Sequence, residues 1–504
     1  MRPEGALFPE DRLDKPVLGF MAVVARNSAF VLASQILIRI IAFAFNVYVV
    51  RRLGAVQFGR YSIVMAYVAL FGIFTDLGLA PYSVREIAED PAKMGWLVPN
   101  SVAIRGLLSL VIAVIAPLSA LWLGKEDYLV WGILIASLGQ LVWAVQGPLG
   151  SALIARERLD YDALFSIVER LVFWILGALA LLSGAGFIAL ILASLAGVAA
   201  RAVLSGWVLL SRLGMRDLEL SGRRWPSMLR GALPFGISGI AFTLRQQFDT
   251  ILMSFVLTDQ EVGWYNVPFN LIGMLLLMAV SIGQAMYPSM ARARTTDPAA
   301  MRRLTHRAAK YLLAMSLPIT VGGIMLARPI VVTLYTEEFT PSVLILQIIL
   351  LALPALFLLE LLGRLANALH LERQLARVTI INAAITVALN VALVPTLGAL
   401  GAALALVIGR LVNLIQNVVL VGRDQLLGEN WSDVPGVFLA AAGMGVLVFT
   451  LREAHLAISI GAGALLYGLL LLAFGVLTRR ELVELAHMMP GAGRARRAAG
   501  GTRK

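Results

Sequence analysis

Residues Asn27–Tyr61 read NSAFVLASQILIRIIAFAFNVYVVRRLGAVQFGRY, and this stretch decides the fold. Its apolar part can span a bilayer, which takes about 20 residues at about 1.5 Å of rise each. Arg39 sits in the middle of it. A guanidinium at that depth costs at least about 2.5 kcal/mol on insertion scales, so it normally faces protein or a wet cavity. Gln35 and Asn46 lie four residues before and seven after Arg39. The three polar side chains therefore share a narrow arc of one helical face.

The rest of the chain has the same character. Of 504 residues, 59% are hydrophobic and only 14% charged. Soluble domains carry about 25% charged residues, so this composition predicts an integral membrane protein. The absence of cysteine excludes disulfides, thiolate metal sites and a cysteine nucleophile. His306, His370, His455 and His487 do not pair at a metal-ligand spacing. The N-terminus has no compact apolar core before a cleavage site, and no signal peptide is expected.

Hydropathy predicts an all-α polytopic protein with about fourteen spans, near 28–50, 61–81, 99–123, 129–153, 163–183, 187–210, 232–257, 264–288, 311–334, 342–368, 376–395, 398–421, 433–450 and 455–477. Charge placement tests that count. With the N-terminus in the cytoplasm, the even loops and both tails hold 29 cations and the odd loops hold six, Arg51, Arg52, Arg60, Lys125, Arg328 and Arg452. This positive-inside bias predicts that both termini are cytoplasmic. It also explains the net charge of +12 without nucleic acid: the basic tail GRARRAAGGTRK reads as a solvated or lipid-facing segment. No outer loop is long, so no extracytoplasmic catalytic domain is expected.

An internal repeat organises the spans. L53-GAVQF-G59-R-Y61 recurs as L257-TDQEV-G263-W-Y265, each copy following a span with a central arginine, Arg39 or Arg245. GFIALILASLAG at Gly186–Gly197 recurs as GALGAALALVIG at Gly398–Gly409. Six spans separate the copies, so the two halves share one orientation, a parallel repeat about the membrane normal. The expected organisation is a cytoplasmic segment at 1–27, an N-lobe at 28–210, a basic linker at 211–231, a C-lobe at 232–421, two further helices within 433–477, and a basic tail at 478–504.

Several stretches resemble one known family. They are LGAVQFGRYSIV in the first repeat copy, FTDLGLAPYSVREIA (Phe74–Ala88), LPFGISGIAFTLRQQFDTILMSFVLTDQEVGWYNVPFNL (Leu233–Leu271), AMYPSMAR (Ala285–Arg292) and VPTLGALGAALA (Val394–Ala405). The chain is similar, over about residues 27–421, to the polysaccharide-type flippases of the multidrug/oligosaccharidyl-lipid/polysaccharide (MOP) superfamily. The resemblance implies two six-helix lobes around a central cavity. It also implies movement of a polyprenyl-diphosphate-linked oligosaccharide to the outer leaflet of a bacterial inner membrane, with no enzymatic step. Expected partners are the lipid-linked anionic glycan, membrane lipids and other polysaccharide-assembly proteins, with a monomeric chain. Energy would come from an ion gradient, H+ or Na+, or the membrane potential, since no GxxxxGK[ST] loop is present.

Seven arginines lie inside spans: Arg39, Arg105, Arg170, Arg201, Arg245, Arg364 and Arg410. Arg105 and Arg170, near cytoplasmic ends, read as snorkelling. Arg364 has Glu360 one turn away, which reads equally as a structural ion pair or a ligand site. Arg245 has Asp249 at i+4. That pair is either a neutral packing element or a switch in which an anionic substrate displaces the carboxylate. Arg39 and Arg410 have no local acid. The candidate cavity set is Arg39, Arg245, Arg410, Arg201, Gln35, Asn46, Asn270 and Gln284, with Asp249, Glu360 and Arg364 as pairing or coupling groups. A net positive interior suits a diphosphate, because arginine grips phosphate through a planar, always-charged fork. A drug or cation antiporter of the same superfamily would need acids there. A peptidoglycan-precursor flippase would share the cationic cavity. A polymerase or ligase would need the large outer loop that is missing.

Overall fold

The structure is a computed structural model that describes residues 14–215, 218–422 and 434–476. Among these residues every regular element is helical. The N-lobe holds α1 (Asp14–Asp76), α2 (Leu79–Glu89), α3 (Met94–Trp122), α4 (Asp127–Ala155), α5 (Leu159–Leu182) and α6 (Phe187–Ser211). The C-lobe holds α7 (Trp225–Val256), α8 (Asp259–Thr296), α9 (Pro298–Met325), α10 (Ala327–Leu334), α11 (Ser342–Leu350), α12 (Leu353–Ala368) and α13 (Glu372–Val421). Two further helices follow, α14 (Val434–Thr450) and α15 (Leu456–Ala473). Among the described residues nine helices are long and apolar enough to cross a membrane, or ten if the bent pair α11–α12 is one span. Fourteen expected spans exceed that count partly because α1 and α13 each hold two, and partly because α11–α12 is bent and α14 is only 17 residues long.

Both double spans break at a glycine. α1 kinks at Gly54, with φ 70° and ψ 176°, and α13 at Gly398, with φ 61° and ψ −140°. Only glycine reaches such angles without a Cβ penalty. The second span therefore begins at Ala55, earlier than the expected residue 61, and the outer loop placed at 51–60 is mostly helix. At its other end Leu77 and Gly78 take positive φ, and α2 leaves as a separate short helix. The basic loop expected near 289–310 is also helical. α8 runs to Thr296, and Asp297 caps α9 by accepting from the Ala299 and Ala300 N–H groups.

α1 starts at Asp14, inside the segment expected at 1–27, of which residues 1–13 lie outside the described residues. The linker is not a free loop either. Asn100 of α3 accepts from the Ser221 N–H and the Trp225 indole and donates to the Glu219 carbonyl. The basic tail at 478–504 lies outside the described residues.

Lipid and core faces separate by helical period. On α3, Leu107, Val111, Val114, Leu118 and Leu121 form one exposed apolar stripe, while Ala113, Ala116 and Ala120 are buried. An apolar stripe of that size facing outward is stable only against hydrocarbon. One buried cluster runs through α1, α8, α9, α11, α12 and the last two helices, and a second binds α2, α3, α4 and α6 to the start of α7.

Candidate functional site

The two copies of the repeat meet each other. A Cβ on Gly59 would stand 1.7 Å from the Asp259 carbonyl oxygen, and one on Gly263 would stand 2.2 Å from that of Ala55. The α1 and α8 backbones cross in contact at these glycines. Around the crossing, Arg60 Nε donates to Asp259 Oδ2 at 3.2 Å, and its guanidinium lies 3.7 Å from the centre of the Tyr128 ring. The Tyr128 hydroxyl also donates to Asp259, and Lys125 Nζ donates to the Ser254 carbonyl. Glu338 Oε1 accepts from the Ala55 N–H at 2.8 Å, capping the helix that restarts after Gly54. Arg60 and Lys125, read from sequence as loop cations, thus join the lobes at the end expected to face outward.

The opposite end is closed along the same seam. A Cβ on Gly78 would stand 2.4 Å from the Ala232 oxygen and the Gly236 nitrogen, and one on Gly236 would stand 2.6 Å from the Leu77 oxygen. Here α2 and the end of α1 pack on α7.

Between these ends the structure sorts the arginines. Arg105 is buried, and its Nη1 donates to Asp76 Oδ1 at 2.6 Å. It is a buried ion pair, not a snorkelling end group, because Asp76 lies beside it at the α1 terminus. Arg201 donates to Glu169 Oε2 at 2.9 Å and to Asp162 Oδ1 at 2.7 Å, both from α5. It was placed in the candidate cavity set, but two carboxylates neutralise it and tie α6 to α5. Asp162 went unnoticed because it lies 39 residues away in sequence. Arg170 is exposed near the middle of α5.

Arg39, Arg364 and Arg410 remain. Among the described residues none of the three makes a salt bridge or hydrogen bond. Arg364 does not pair with Glu360; its side chain packs beside Gly283 of α8, whose Cβ would stand 3.5 Å from Arg364 Cγ. Asn46, half-buried, and Asn270 and Gln284, exposed, also make no hydrogen bond. The side chains of Gln35 and Arg245 lie outside the described residues, so the proposed Arg245–Asp249 pair does too.

Asp249 has other partners. It is 6% exposed, and its Oδ2 accepts from the Tyr265 hydroxyl at 2.8 Å. Its Oδ1 is enclosed with no hydrogen-bond partner. α13, which carries Arg410, packs against α7, which carries Asp249. Sequence spacing pointed to Arg245 at i+4 and could not show the Tyr265 hydroxyl that reaches Asp249 from the next helix. Tyr265 lay in the quoted repeat but carried no polar role in the reading.

Four buried asparagines of α13, Asn382, Asn390, Asn413 and Asn417, are packing elements. Asn382 donates to the Gly409 carbonyl at 2.9 Å, Asn390 to that of Thr386 at 3.0 Å, and Asn417 to both oxygens of Asn413. A separate apolar cavity of about 490 Å³ lies between α8, α9 and the last two helices, lined by residues including Leu271, Pro318, Leu350, Met444 and Tyr467. None of the candidate arginines lines it. Among the described residues no cluster of three His, Cys, Asp or Glu could hold a metal.

Comparison with known proteins follows this geometry. A family model described as polysaccharide biosynthesis protein matches residues 24–294, more than half of the chain. The chain is 22% identical over 459 residues to the probable low-salt glycan biosynthesis flippase Agl15 of Haloferax volcanii, covering 87% of this chain and 94% of that one. It is 26% identical over 249 residues to the probable flippase AglR of the same organism, a match that spans 47% of this chain and about half, 52%, of AglR. In fold it is similar to the lipid II flippase MurJ in an inward closed conformation, with TM-score 0.68, 15% identity, and 89% and 100% of the two chains covered. An inward-facing multidrug MATE transporter of the MOP superfamily matches with TM-score 0.60 and 16% identity, over 82% and 95% of the chains. The helical architecture is therefore the fold of MurJ and of this MATE transporter, and the chain belongs to the polysaccharide biosynthesis protein family.

Proposed function

We propose that the protein is a flippase that moves a polyprenyl-diphosphate-linked oligosaccharide from the cytoplasmic to the outer leaflet of the cytoplasmic membrane, for surface polysaccharide synthesis. The observation that carries this reading is the division of the membrane arginines. Arg105 and Arg201 are neutralised by carboxylates, whereas among the described residues Arg39, Arg364 and Arg410 make no salt bridge or hydrogen bond. A guanidinium without a hydrogen-bonded partner at membrane depth is stable where water or an anion reaches it. Phosphate fits it through two parallel N–H···O bonds. Asn46, Asn270 and Gln284, which make no hydrogen bond among the described residues, are available to meet sugar hydroxyls.

In this reading the lobes open and close around the head group while the polyprenyl tail stays in lipid. The seam contacts at Gly59–Gly263 and Gly78–Gly236 open alternately. The energy source is an H+ or Na+ gradient or the membrane potential. The two curated relatives, both named as flippases, support the transport class. Both termini lie in the cytoplasm, the chain works as a monomer, and other assembly proteins act before and after it.

The test is a deletion strain whose lipid-linked sugars are extracted and identified by mass spectrometry. The expected result is a polyprenyl-diphosphate glycan that accumulates, disappears on return of the wild-type gene, and persists with Arg39→Ala or Arg410→Ala at normal protein levels. An unchanged lipid pool would refute the proposal.

A further inference from the structure

We infer that the apolar cavity beside the last two helices is a binding site for an anionic membrane phospholipid. One acyl chain fills the cavity, and the phosphate sits at Arg328 and Arg452. This lipid is a resident of the C-lobe and not the transported substrate.

The cavity itself sets the chemistry of the chain. It has about 490 Å³, and its walls come from α8, α9, α10, α11, α14 and α15. That volume lies in the range of pockets that take a small ligand, about 300–1,000 Å³. Tyr467 carries the only side-chain polar atom of the lining, and its hydroxyl donates to the Ala314 carbonyl at 2.8 Å. Walls without free polar partners do not hold water, and an apolar cavity of about 150 Å³ already binds benzene in a soluble core. Outside this cavity the medium is hydrocarbon. Ile460 and Ala464, one turn apart on α15, both line the cavity and are exposed, Ile460 by 51%. The cavity therefore opens along α15 toward lipid.

Its position separates a resident chain from a transported one. No lining residue belongs to α1–α7, so the cavity lies within the C-lobe and the last two helices, away from the seam between the lobes. The α15 wall from Ile460 to Tyr467 is about 10 Å long at about 1.5 Å per residue. It starts one turn from the helix end, which suits the chain of a lipid from one leaflet of an about 30 Å core.

Two cations mark where the head group lies. Arg328 is in the first turn of α10, between the lining residues Leu326 and Ile330. Arg452 is on the turn that joins α14 to α15, four residues after the lining residue Val448. The Ser459 hydroxyl holds that turn by donating to the Leu451 carbonyl at 2.7 Å. A Cβ on Gly445 would stand 2.6 Å from Val321, so α9 and α14 pass each other about one turn before their ends at Met325 and Thr450. In the expected span order these two helices run in the same direction, which places Arg328 and Arg452 at one end of the cavity. Both are exposed. Among the described residues neither makes a side-chain hydrogen bond or salt bridge, even with Glu453, and Arg452 lies 4.6 Å from the Phe449 ring centre. Of the six cations expected outside, Arg60 and Lys125 join the lobes and Arg51 and Arg52 adjoin the Gly54 break. The two that remain are the two at this cavity. A guanidinium at the membrane surface attracts anionic lipid and grips its phosphate.

The test is native mass spectrometry of the purified full-length protein, followed by delipidation and titration with phosphatidylglycerol or phosphatidylcholine of identical chains. Wild type should retain about one phospholipid and prefer phosphatidylglycerol. Arg328→Ala with Arg452→Ala should cut that preference about tenfold. Ala464→Phe and Ile319→Trp, which fill the cavity from opposite walls, should lose both lipids. Retention of a polyprenyl lipid in place of a phospholipid, or of no lipid, would overturn the inference. So would folded filling variants that bind like wild type, or an arginine variant with the preference intact. Should neither filling variant fold, a phosphatidylglycerol with a photoactivatable chain decides on wild type: cross-links to the α9 and α15 walls support the site, and cross-links only elsewhere overturn it.

Discussion

Gly59 and Gly263 occupy equivalent positions in the two halves of the chain, and their backbones touch: a Cβ on Gly59 would stand 3.1 Å from the Gly263 nitrogen. The internal repeat is thus also a contact, made by each half on the other. No side chain fits between the helices at this crossing. Gly59→Leu or Gly263→Leu should hold this end of the seam apart. The chain has no cysteine, so spin labels on Val56→Cys and Gln260→Cys would be unique. Parent protein should give one short distance by electron–electron resonance, and either leucine variant a longer, broader one.

Beside that crossing, Arg60, Asp259 and Tyr128 form a latch between the lobes. The salt bridge is partly solvated, with side chains 25% and 17% exposed, so it contributes about 1 kcal/mol, and the ring contact adds a similar amount. Arg60→Asp or Asp259→Arg alone should shift the label distances toward the open end about tenfold in population. The double reversal should restore the parent distribution, because the pair is re-formed with its signs exchanged.

Arg105 and Asp76 are a buried pair between α3 and the end of α1. Removing one partner of such a pair leaves an uncompensated charge and costs about 3–5 kcal/mol. Arg105→Ala should lower the thermal midpoint in detergent by several degrees. Adding Asp76→Asn should recover most of the loss. Gly147 packs on this guanidinium, where a Cβ would stand 2.5 Å from Nη1, so Gly147→Ala should be destabilising too.

These contacts mark how far the sequence could be read. The membrane class, the repeat, the short turn at Pro395–Gly398 and the deep arginines follow from hydropathy, spacing and glycine. They are local or periodic features. What pairs with each arginine is not local. Asp162 and Glu169 reach Arg201 across 39 and 32 residues, and Asp76 reaches Arg105 from another helix. The i+4 rule that suggested Arg245–Asp249 and Glu360–Arg364 sees only one helix. The Arg60–Asp259 latch was hidden because both residues appeared to lie in loops. They flank the two conserved-spacing glycines of the repeat, and that repeated spacing was the signal that could have placed them together.

Glu86 on α2 accepts from Lys93 at 2.6 Å and from Arg85 at 2.9 Å, anchoring α2 to the start of α3. The Lys93 ammonium, and then the Arg85 guanidinium, hold its carboxyl below the usual range. Its contribution is therefore present above the unfolded carboxylate pKa and is lost as pH falls through the lower folded value. Glu86→Gln should reduce the thermal midpoint at pH 7 and make no difference once the pH lies below that folded value. Midpoints measured from pH 7 down to pH 3 should converge.

The central claim is that Arg39 and Arg410 handle the anionic head group during translocation. Its most direct measurement is reconstitution into liposomes with a fluorescent polyprenyl-diphosphate oligosaccharide placed in one leaflet, followed by a membrane-impermeant quencher. The account predicts wild-type exchange between leaflets, a loss of at least about tenfold in Arg39→Ala and Arg410→Ala, and near-normal exchange for a correctly folded Arg170→Ala control. Equal exchange in wild type and both arginine variants, or none in wild type with an imposed ion gradient and membrane potential, would contradict it.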